Sequence, residues 1–363
     1  MKIGVVGGGV NGLCCAWELS RQGHDVTLFE RGELMQRTSR ASSKLLHGGL
    51  RYLENFEFRL VREALRERDG WLMRVPSLAQ PLRLVVPIYG NSRRGRWMVG
   101  AGLLLYRILA PRSPFGDFLW LSAEELQARD PNLNGDGLVG GWEFSDGQMD
   151  DYQLGLWVAE KVRSVGGEIH EHAPVERVST EGEVVLEGGE VHRFERVVNV
   201  AGPWAEELAR ASGVDLPYQL DLVRGSHLVL NQPCPQAYLL EVVGERRVFF
   251  VLPWKDGTLL GTTEVRQSID EPIECSEEEE RYLLDAYAAY FETPAEPSDI
   301  AERFAGVRPL IKSARNPNRA SREYELHRTD RLLTVMGGKW TTALALGKQV
   351  ARRVKRRKTD RGR

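Results

Sequence analysis

The sequence contains little cysteine, which argues against a disulfide-stabilised secreted protein. Four cysteines occur in 363 residues. Cys14 and Cys15 are adjacent on a predicted helix, where they cannot face each other, and Cys234 and Cys275 are isolated. No disulfide framework follows from this spacing, so we expect a reducing, cytoplasmic setting.

The sequence also lacks a hydrophobic run of about 18 residues, the length that a membrane-spanning helix needs. Its longest apolar run is 98–109, with arginines on both sides. This run is predicted to be a core helix or, alternatively, an interfacial amphipathic helix. Glycines interrupt the apolar segment at the amino terminus, which is therefore not expected to be a signal peptide.

A strong net charge is absent as well, because the formal charge is −2. The distribution is nevertheless uneven: residues 352–363 hold eight basic residues and one acidic residue. Such a tail is either a solvated extension or a segment attracted to an anionic membrane surface. We expect a cytoplasmic protein that can be peripheral on the inner face of the cytoplasmic membrane, with no nucleic-acid partner and no metal site.

The amino-terminal residues predict a dinucleotide-binding βαβ unit. Residues 2–6 form a predicted strand, 10–22 a helix and 25–30 a second strand, with the motif Gly7-x-Gly9-x-x-Gly12 at the first turn. Gly7 permits the turn, Gly9 lets the backbone approach a pyrophosphate, and Gly12 allows close helix packing. Glu30 ends the second strand, where an acid accepts hydrogen bonds from ribose hydroxyls.

Three later segments favour FAD over NAD. The segments are 39–54 (SRASSKLLHGGLRYLE), 199–204 (NVAGPW) and 337–342 (GGKWTT). The last two place small residues after predicted strands, and a long cofactor such as FAD runs across several strand ends. The first combines a glycine doublet with cations, so its backbone and its charges suit an anionic ligand.

The remaining pattern predicts an α/β protein with a discontinuous Rossmann-like domain. We predict helices at 57–75, 151–166, 276–291 and 342–357, and short strands at 168–172, 175–179, 183–187, 190–194, 195–200, 227–230, 247–253, 258–263 and 332–336. Residues 76–145 are rich in proline, glycine and aromatic residues. The FAD-binding domain is assigned to 1–75, 146–213 and 305–358. An inserted substrate-binding domain of mixed or antiparallel sheet plus helices is assigned to 76–145 and 214–304, and a basic tail end to 359–363.

The order of motifs resembles that of FAD-dependent glycerol-3-phosphate dehydrogenases, within the wider D-amino-acid oxidase group of flavoproteins. The resemblance covers nearly the whole chain. Besides the glycine motif with Glu30, it rests on SSKLLHGGLRYLE at 42–54, FRLVREAL at 58–65, NVAGPW at 199–204, RGSHLVL at 224–230, VFFVLPW at 248–254, GTTEV at 261–265, GVRPL at 306–310 and GGKWTT at 337–342.

The resemblance implies oxidation of sn-glycerol 3-phosphate to dihydroxyacetone phosphate, with hydride transfer to FAD and electrons passed to a quinone or other acceptor. Members of that family commonly continue into a C-terminal helical domain. Here 24 residues follow Lys339, which predicts a compact member.

The same resemblance supplies the candidate site residues. His227 is predicted to face the substrate hydroxyl as a base, because histidine titrates near neutral pH. Catalytic candidates are His227, Arg308 and Lys339. Substrate-binding candidates are Arg51, Tyr52, Thr262 and Arg308, with arginine favoured for phosphate; Arg51 and Lys339 serve phosphate or the charge of the flavin ring. Cofactor-binding candidates are Gly7, Gly9, Asn11, Gly12, Glu30, Arg31, Ser42, Ser43, Lys44, His47, Gly48, Gly49, Val175, Ala201, Gly202, Trp204, Gly338, Lys339, Trp340 and Thr341.

Two other functions stay open at the level of sequence. One is an FAD-dependent dehydrogenase or oxidase of another small anion, such as a 2-hydroxy acid or an amino acid. A carboxylate needs one arginine clamp rather than a cluster of cations, so the number of cations at the site separates the two. The other is a low-turnover flavin-binding protein that attaches to membranes.

Overall fold

The computed structural model describes residues 1–312 and 324–355. Within these ranges the α-helices have the following bounds: Val10–Arg21 (α1), Phe58–Arg74 (α2), Arg96–Leu109 (α3), Ala123–Arg129 (α4), Asp151–Ser164 (α5), Ala205–Ala211 (α6), Glu277–Ala288 (α7) and Ala343–Lys355 (α8). Short 3₁₀ helices occur at Leu50–Asn55, Gly202–Trp204 and Pro297–Asp299. The predicted tail end at 359–363 lies outside the described residues.

The strands of the described ranges form two large sheets and one small one. Their bounds are Lys2–Val6 (β1), Asp25–Phe29 (β2), Leu45–Leu46 (β3), Ala79–Tyr89 (β4), Phe118–Ser122 (β5), Leu138–Met149 (β6), Glu168–His170 (β7), Val175–Val178 (β8), Glu183–Leu186 (β9), Val191–Arg193 (β10), Arg196–Asn199 (β11), Gln219–Leu230 (β12), Ala237–Glu241 (β13), Val248–Trp254 (β14), Gly257–Gly261 (β15), Val265–Arg266 (β16), Ile300–Lys312 (β17), Tyr324–Thr329 (β18) and Leu332–Gly337 (β19).

The first sheet is the Rossmann-like one, with the strand order β18-β19-β11-β1-β2-β7. Strand β1 pairs in parallel with β2 and β11, and β11 pairs in parallel with β19. The loops that follow β1, β11 and β19 therefore meet at one edge of the sheet, where α/β proteins bind nucleotides. Since these strands come from distant parts of the chain, the predicted fold class with discontinuous segments is confirmed.

The second sheet has ten strands and is mainly antiparallel. Its path runs β16-β12-β15-β14-β13-β4-β6-β3, with β17 paired to β12 and β5 paired to β6. Strand β6 continues across the predicted domain boundary at 145–146, and β17 continues across the one at 304–305. The domain boundaries stay a prediction. The strand predicted at 258–263 ends at Gly261, which leaves Thr262 and Thr263 in the turn.

Helix α3 contains the long apolar run and has two unlike faces. Val99, Leu103 and Tyr106 are buried, whereas Trp97 and Ile108 are 82% and 60% exposed. Positions 99, 103 and 106 lie on one side of a helix of 3.6 residues per turn, and 97 and 108 lie on the other. The helix is therefore only half a core helix. Among the described residues, no helix has the length and apolar content required to cross a bilayer.

Candidate functional site

A cavity of about 360 Å³ lies at the edge of the parallel sheet where the three loops converge. Twelve of the predicted cofactor residues line it: Gly7, Gly9, Asn11, Glu30, Arg31, Val175, Ala201, Gly202, Trp204, Gly338, Lys339 and Trp340. The parallel register of β1, β11 and β19 thus brings together residues that are more than 300 positions apart in sequence.

Glycines allow the loops of this cavity to pack backbone against backbone. Gly7 has a φ of +116°, and a Cβ atom there would lie 2.5 Å from the carbonyl oxygen of Val200. A Cβ atom on Gly12 would lie 1.9 Å from the carbonyl oxygen of Gly7. Side chains at these positions would force α1 away from the sheet, which is the role that the glycine spacing predicts.

The cavity is lined by polar groups that suit the hydroxyl and phosphate groups of a ligand. The Glu30 carboxylate accepts the backbone N–H groups of Gly8 (2.6 Å) and Gly32 (3.1 Å), which fixes its direction. The Oδ1 atom of Asn11 is buried and has no hydrogen-bond partner among the described residues. Arg31 stacks over the Trp204 ring at 3.9 Å, so a cation and an aromatic ring lie together in the cavity wall.

None of residues 42–49 lines this cavity, and Lys44 forms a buried ion pair with Asp151 instead. Lys44 Nζ donates to both oxygens of Asp151 at 2.8 and 2.9 Å, and Ser42 Oγ donates to the same carboxylate at 2.7 Å. Burial raises the pKa of Asp151, while Lys44 lowers it. Lys44 faces a neighbouring cleft of about 350 Å³, and its predicted contact with the cofactor stays a prediction.

A second buried network holds the Gly48-Gly49 turn. The Gly48 N–H donates to Asp146 at 3.3 Å, and the same carboxylate accepts hydrogen bonds from Arg68 (2.8 Å) and from the Tyr106 hydroxyl (2.9 Å). The N–H of His47 donates to Thr341 Oγ1 at 3.3 Å. The 42–49 segment is therefore connected to α2, to α3 and to the loop after β19.

His227 is buried near the carboxyl end of β12. Its ring stacks on Phe304 with centroids 4.9 Å apart, and its Nε2 atom is 2.9 Å from Ser43 Oγ. Burial lowers the pKa of His227 well below its ordinary value, and the charges of Arg308 and Lys44 lower it further. The imidazole is therefore neutral near pH 7.

Cations gather beside His227. Arg308 Nη2 donates to Thr262 Oγ1 at 2.8 Å. Burial lowers the pKa of Arg308, Glu264 raises it, and the positive charges of Arg247 and Arg51 lower it, so the three guanidinium groups interact electrostatically. Nearby in the same site, Lys339 Nζ donates to the Tyr52 hydroxyl at 2.7 Å.

Sequence reasoning missed two members of this cluster, Arg247 and Glu264. Arg247 Nη2 donates to the carbonyl oxygen of Thr262 at 3.3 Å, and its Nε lies 3.5 Å from Glu264. Arg247 directly precedes the strand β14, which pairs antiparallel with β15, so the beginning of β14 lies beside the Thr262 turn. That pairing is the signal that would have identified Arg247.

Comparison with known proteins defines the class. Residues 2–353 match the family described as DAO, FAD dependent oxidoreductase, and the chain belongs to this family. A glycerol-3-phosphate dehydrogenase of Pseudomonas aeruginosa is 37% identical over 94% of this chain and 69% of its own length. The predicted resemblance to glycerol-3-phosphate dehydrogenases is thereby confirmed.

Two further relatives extend the comparison. A D-erythritol 1-phosphate dehydrogenase of Brucella abortus is 35% identical over 97% of this chain and 73% of its own length. A solved glycerol-3-phosphate dehydrogenase of Bacillus halodurans, complexed with FAD, has the same fold, with a TM-score of 0.78 and 23% identity over 98% of this chain and 64% of that one. The chain thus spans about two thirds of the length of these relatives.

The cofactor of the family, FAD, fits the cavity on the evidence of its lining. Gly7 and Gly9 leave the backbone open at the amino end of α1, where a pyrophosphate is favoured. Glu30 lies where ribose hydroxyls are bound in such folds, and the orphaned Asn11 Oδ1 awaits a donor.

Proposed function

We propose that the chain oxidises sn-glycerol 3-phosphate to dihydroxyacetone phosphate and passes the electrons from FAD to a quinone or other acceptor. The observation that carries this proposal is the convergence of two guanidinium groups on Thr262: Arg308 Nη2 donates to its Oγ1 at 2.8 Å and Arg247 Nη2 to its carbonyl oxygen at 3.3 Å. A dianionic phosphate offsets several converging cations, whereas a carboxylate substrate needs only one arginine clamp.

Arg308 and Thr262 form the anchor for the phosphate in this proposal. The Arg308 guanidinium is fixed by its hydrogen bonds to Thr262 Oγ1 and to the carbonyl oxygen of Thr263 (3.2 Å). Its Nη1 atom lies 3.7 Å from Glu264 Oε1, and Tyr52 and Arg51 are close enough to act on its charge. Because these groups are held before the substrate arrives, little ordering is needed on binding.

His227 is the proposed base. A Cβ atom on Gly261 would lie 2.8 Å from His227 Nε2, so this nitrogen lies on the side of the Thr262 turn. In this proposal a substrate whose phosphate lies on Arg308 presents its C2 hydroxyl to Nε2 in place of Ser43 Oγ, and Nε2 then takes the hydroxyl proton. The bound FAD supplies the redox chemistry itself. Before the substrate binds, Ser43 Oγ holds the imidazole through its hydrogen bond to Nε2 at 2.9 Å.

Anaerobic bleaching of the flavin tests the proposal. Glycerol 3-phosphate should bleach the yellow protein, while lactate, 2-hydroxyglutarate, glycine and sarcosine should not. Arg308→Lys should weaken glycerol 3-phosphate binding because lysine lacks the planar two-point contact. Bleaching by a carboxylate but not by any polyol phosphate would refute the proposal.

D-erythritol 1-phosphate is added to the panel as a second polyol phosphate, because the Brucella abortus relative is a D-erythritol 1-phosphate dehydrogenase. Both substrates carry the same phosphate and a neighbouring hydroxyl, and they differ in chain length. Comparison of the two rate constants for flavin reduction decides which polyol phosphate the site prefers.

We also propose that α3 contacts an anionic membrane surface. Trp97, Leu104 and Ile108 are exposed on its outer face, and exposed arginines flank the helix at 93 and 112. Apolar side chains between basic residues are typical of interfacial helices.

Reoxidation of the bleached protein by a soluble quinone analogue, compared with oxygen, tests the acceptor.

Flotation with anionic vesicles tests the membrane contact. Trp97→Ser combined with Ile108→Ser should weaken binding by about tenfold or more, since each side chain loses apolar burial. Val243→Ser is the matched control, because Val243 is 67% exposed and lies outside α3. Removal of 356–363 in a separate variant measures the contribution of the basic tail. Equal flotation of all variants would contradict the proposal.

A further inference from the structure

Glu279 is a buried carboxylate that the proposed reaction does not use directly. It lies in the first turn of α7, is 4% exposed, and has both oxygens saturated. Oε1 accepts hydrogen bonds from Ser226 Oγ (2.8 Å) and Thr263 Oγ1 (2.5 Å). Oε2 accepts from Arg224 Nε (3.0 Å) and from the Ser276 N–H (3.2 Å).

The alternation of side chains along β12 explains why this carboxylate lies behind the site. Neighbouring residues of a strand point to opposite faces of the sheet. Ser226 points towards Glu279, so the next residue, His227, points to the other face. Gly225 shares the face of His227, because a Cβ atom there would lie 2.2 Å from Arg308 Nη2.

Thr262 and Thr263 likewise make their contacts on opposite faces of the sheet. Thr263 Oγ1 donates to Glu279 and accepts the Ser226 N–H at 2.8 Å. On the face that carries His227, Arg308 Nη2 donates to Thr262 Oγ1 and to the carbonyl oxygen of Thr263. One carboxylate therefore holds the immediate neighbours of both His227 and Thr262.

We propose that Glu279 is a positioning residue that holds the Ser226-His227 and Thr262-Thr263 backbones in register, so that His227 and Arg308 meet the substrate in a fixed geometry. The inference rests on the proposed function, because it concerns the same polyol phosphate. Glu279 does not line the FAD cavity, so its influence is confined to the substrate side.

Glu279→Gln is the informative variant because it keeps the size of the side chain. Arg224 and the Ser276 N–H are donors only, so the amide oxygen must face them and the amide nitrogen must face Ser226 and Thr263. Both hydroxyls then lose their acceptor. Glu278→Gln is the matched control, since it removes an exposed charge from the same turn of α7.

Stopped-flow reduction of the holoenzyme by glycerol 3-phosphate separates the dissociation constant from the rate constant. Glu279→Gln should lower the ratio of the rate constant to the dissociation constant by about 10- to 100-fold, which is the scale of a misplaced reacting group. Glu278→Gln should match the wild type, and both should retain FAD. Calorimetry with inorganic phosphate provides a readout without turnover, and Glu279→Gln should bind phosphate more weakly.

A double-mutant cycle with Thr263→Val tests the route of the effect. If Glu279 acts through Thr263, the double variant should lose less than the product of the two single losses. The inference is overturned if Glu279→Gln equals Glu278→Gln in both assays, if the cycle is multiplicative, or if Glu279→Gln loses FAD. A wild type that binds phosphate but that no polyol phosphate bleaches would refute the proposed function alone, because the phosphate affinities still decide the role of Glu279.

Discussion

Replacement of Arg68 by methionine should destabilise the protein more than any other exchange of a single arginine on α2. The side chain of Arg68 is 1% exposed. Its guanidinium donates to Asp69 (2.7 Å), to Asp146 (2.8 Å) and to the carbonyl oxygen of Ser145 (3.0 Å). Methionine fills similar space but leaves two buried carboxylates without their cation.

The size of the destabilisation follows from the buried charges that remain after Arg68 is replaced. Removal of one partner of a buried ion pair costs about 3–5 kcal/mol, because the other charge stays buried. Asp69, at 10% side-chain exposure, regains little water. Among the residues that the structure describes, Asp146 keeps the Tyr106 hydroxyl and the Gly48 N–H as its donors. We therefore expect a loss of about 3–5 kcal/mol in the free energy of unfolding.

Urea denaturation at a fixed FAD concentration measures this loss. Arg62→Met is the control, because Arg62 is an exposed arginine of the same helix, and its loss should be within about 0.5 kcal/mol of zero. Adding Asp146→Asn to Arg68→Met should recover part of the stability, since it removes one stranded charge. If Arg68→Met unfolds at the same urea concentration as Arg62→Met, the network does not stabilise the fold as argued.

Three further predictions concern the site. His227→Ala should slow flavin reduction by about 10²–10⁴-fold, the usual contribution of acid–base catalysis, and an unchanged single-turnover rate would remove the base from the proposal. Because burial lowers the pKa of His227, the base stays unprotonated as the pH falls, so the acid limb of the rate profile should lie below pH 6.5, the ordinary value for histidine; a limb at or above that pH contradicts the assignment. Gly12→Ala should yield protein without bound FAD, since its methyl group would overlap the Gly7 carbonyl, whereas Gly70→Ala, which meets open space on α2, should keep the flavin absorbance.

Local patterns predicted the elements that carry a strong period. Helices α1 and α2 and strand β1 lie within a residue or so of their predicted ends, because apolar positions recur at the helix or strand spacing. Strands β4 and β6 were missed since proline and glycine are typical of loops. In the structure Pro81 lies opposite Gly147 and Pro87 opposite Gly141, and only the pairing of the two strands reveals that these residues suit each other.

The site was predictable where it depends on motifs and hidden where it depends on pairing. Twelve of the predicted cofactor residues line the cavity at the parallel sheet, most of them after strands that end in glycine turns, and their contact with FAD stays a prediction. Arg247 has no motif of its own, and the capping box that Glu279 forms with Ser276 predicts a helix start but no role at the site. Each reaches the Thr262 turn because a neighbouring strand or helix is folded against it.

The parallel order β19-β11-β1 has a consequence for how the protein is made. The wall of the FAD cavity joins Gly7 to Gly338, so a ribosome must synthesise everything between these two residues before the cofactor finds its complete binding surface. Contacts of such long sequence separation form late in folding. Because a ligand that binds only the native state shifts the folding equilibrium, FAD supply during growth should set the yield of folded protein, with riboflavin-starved cells accumulating unfolded chains even when transcription is unchanged.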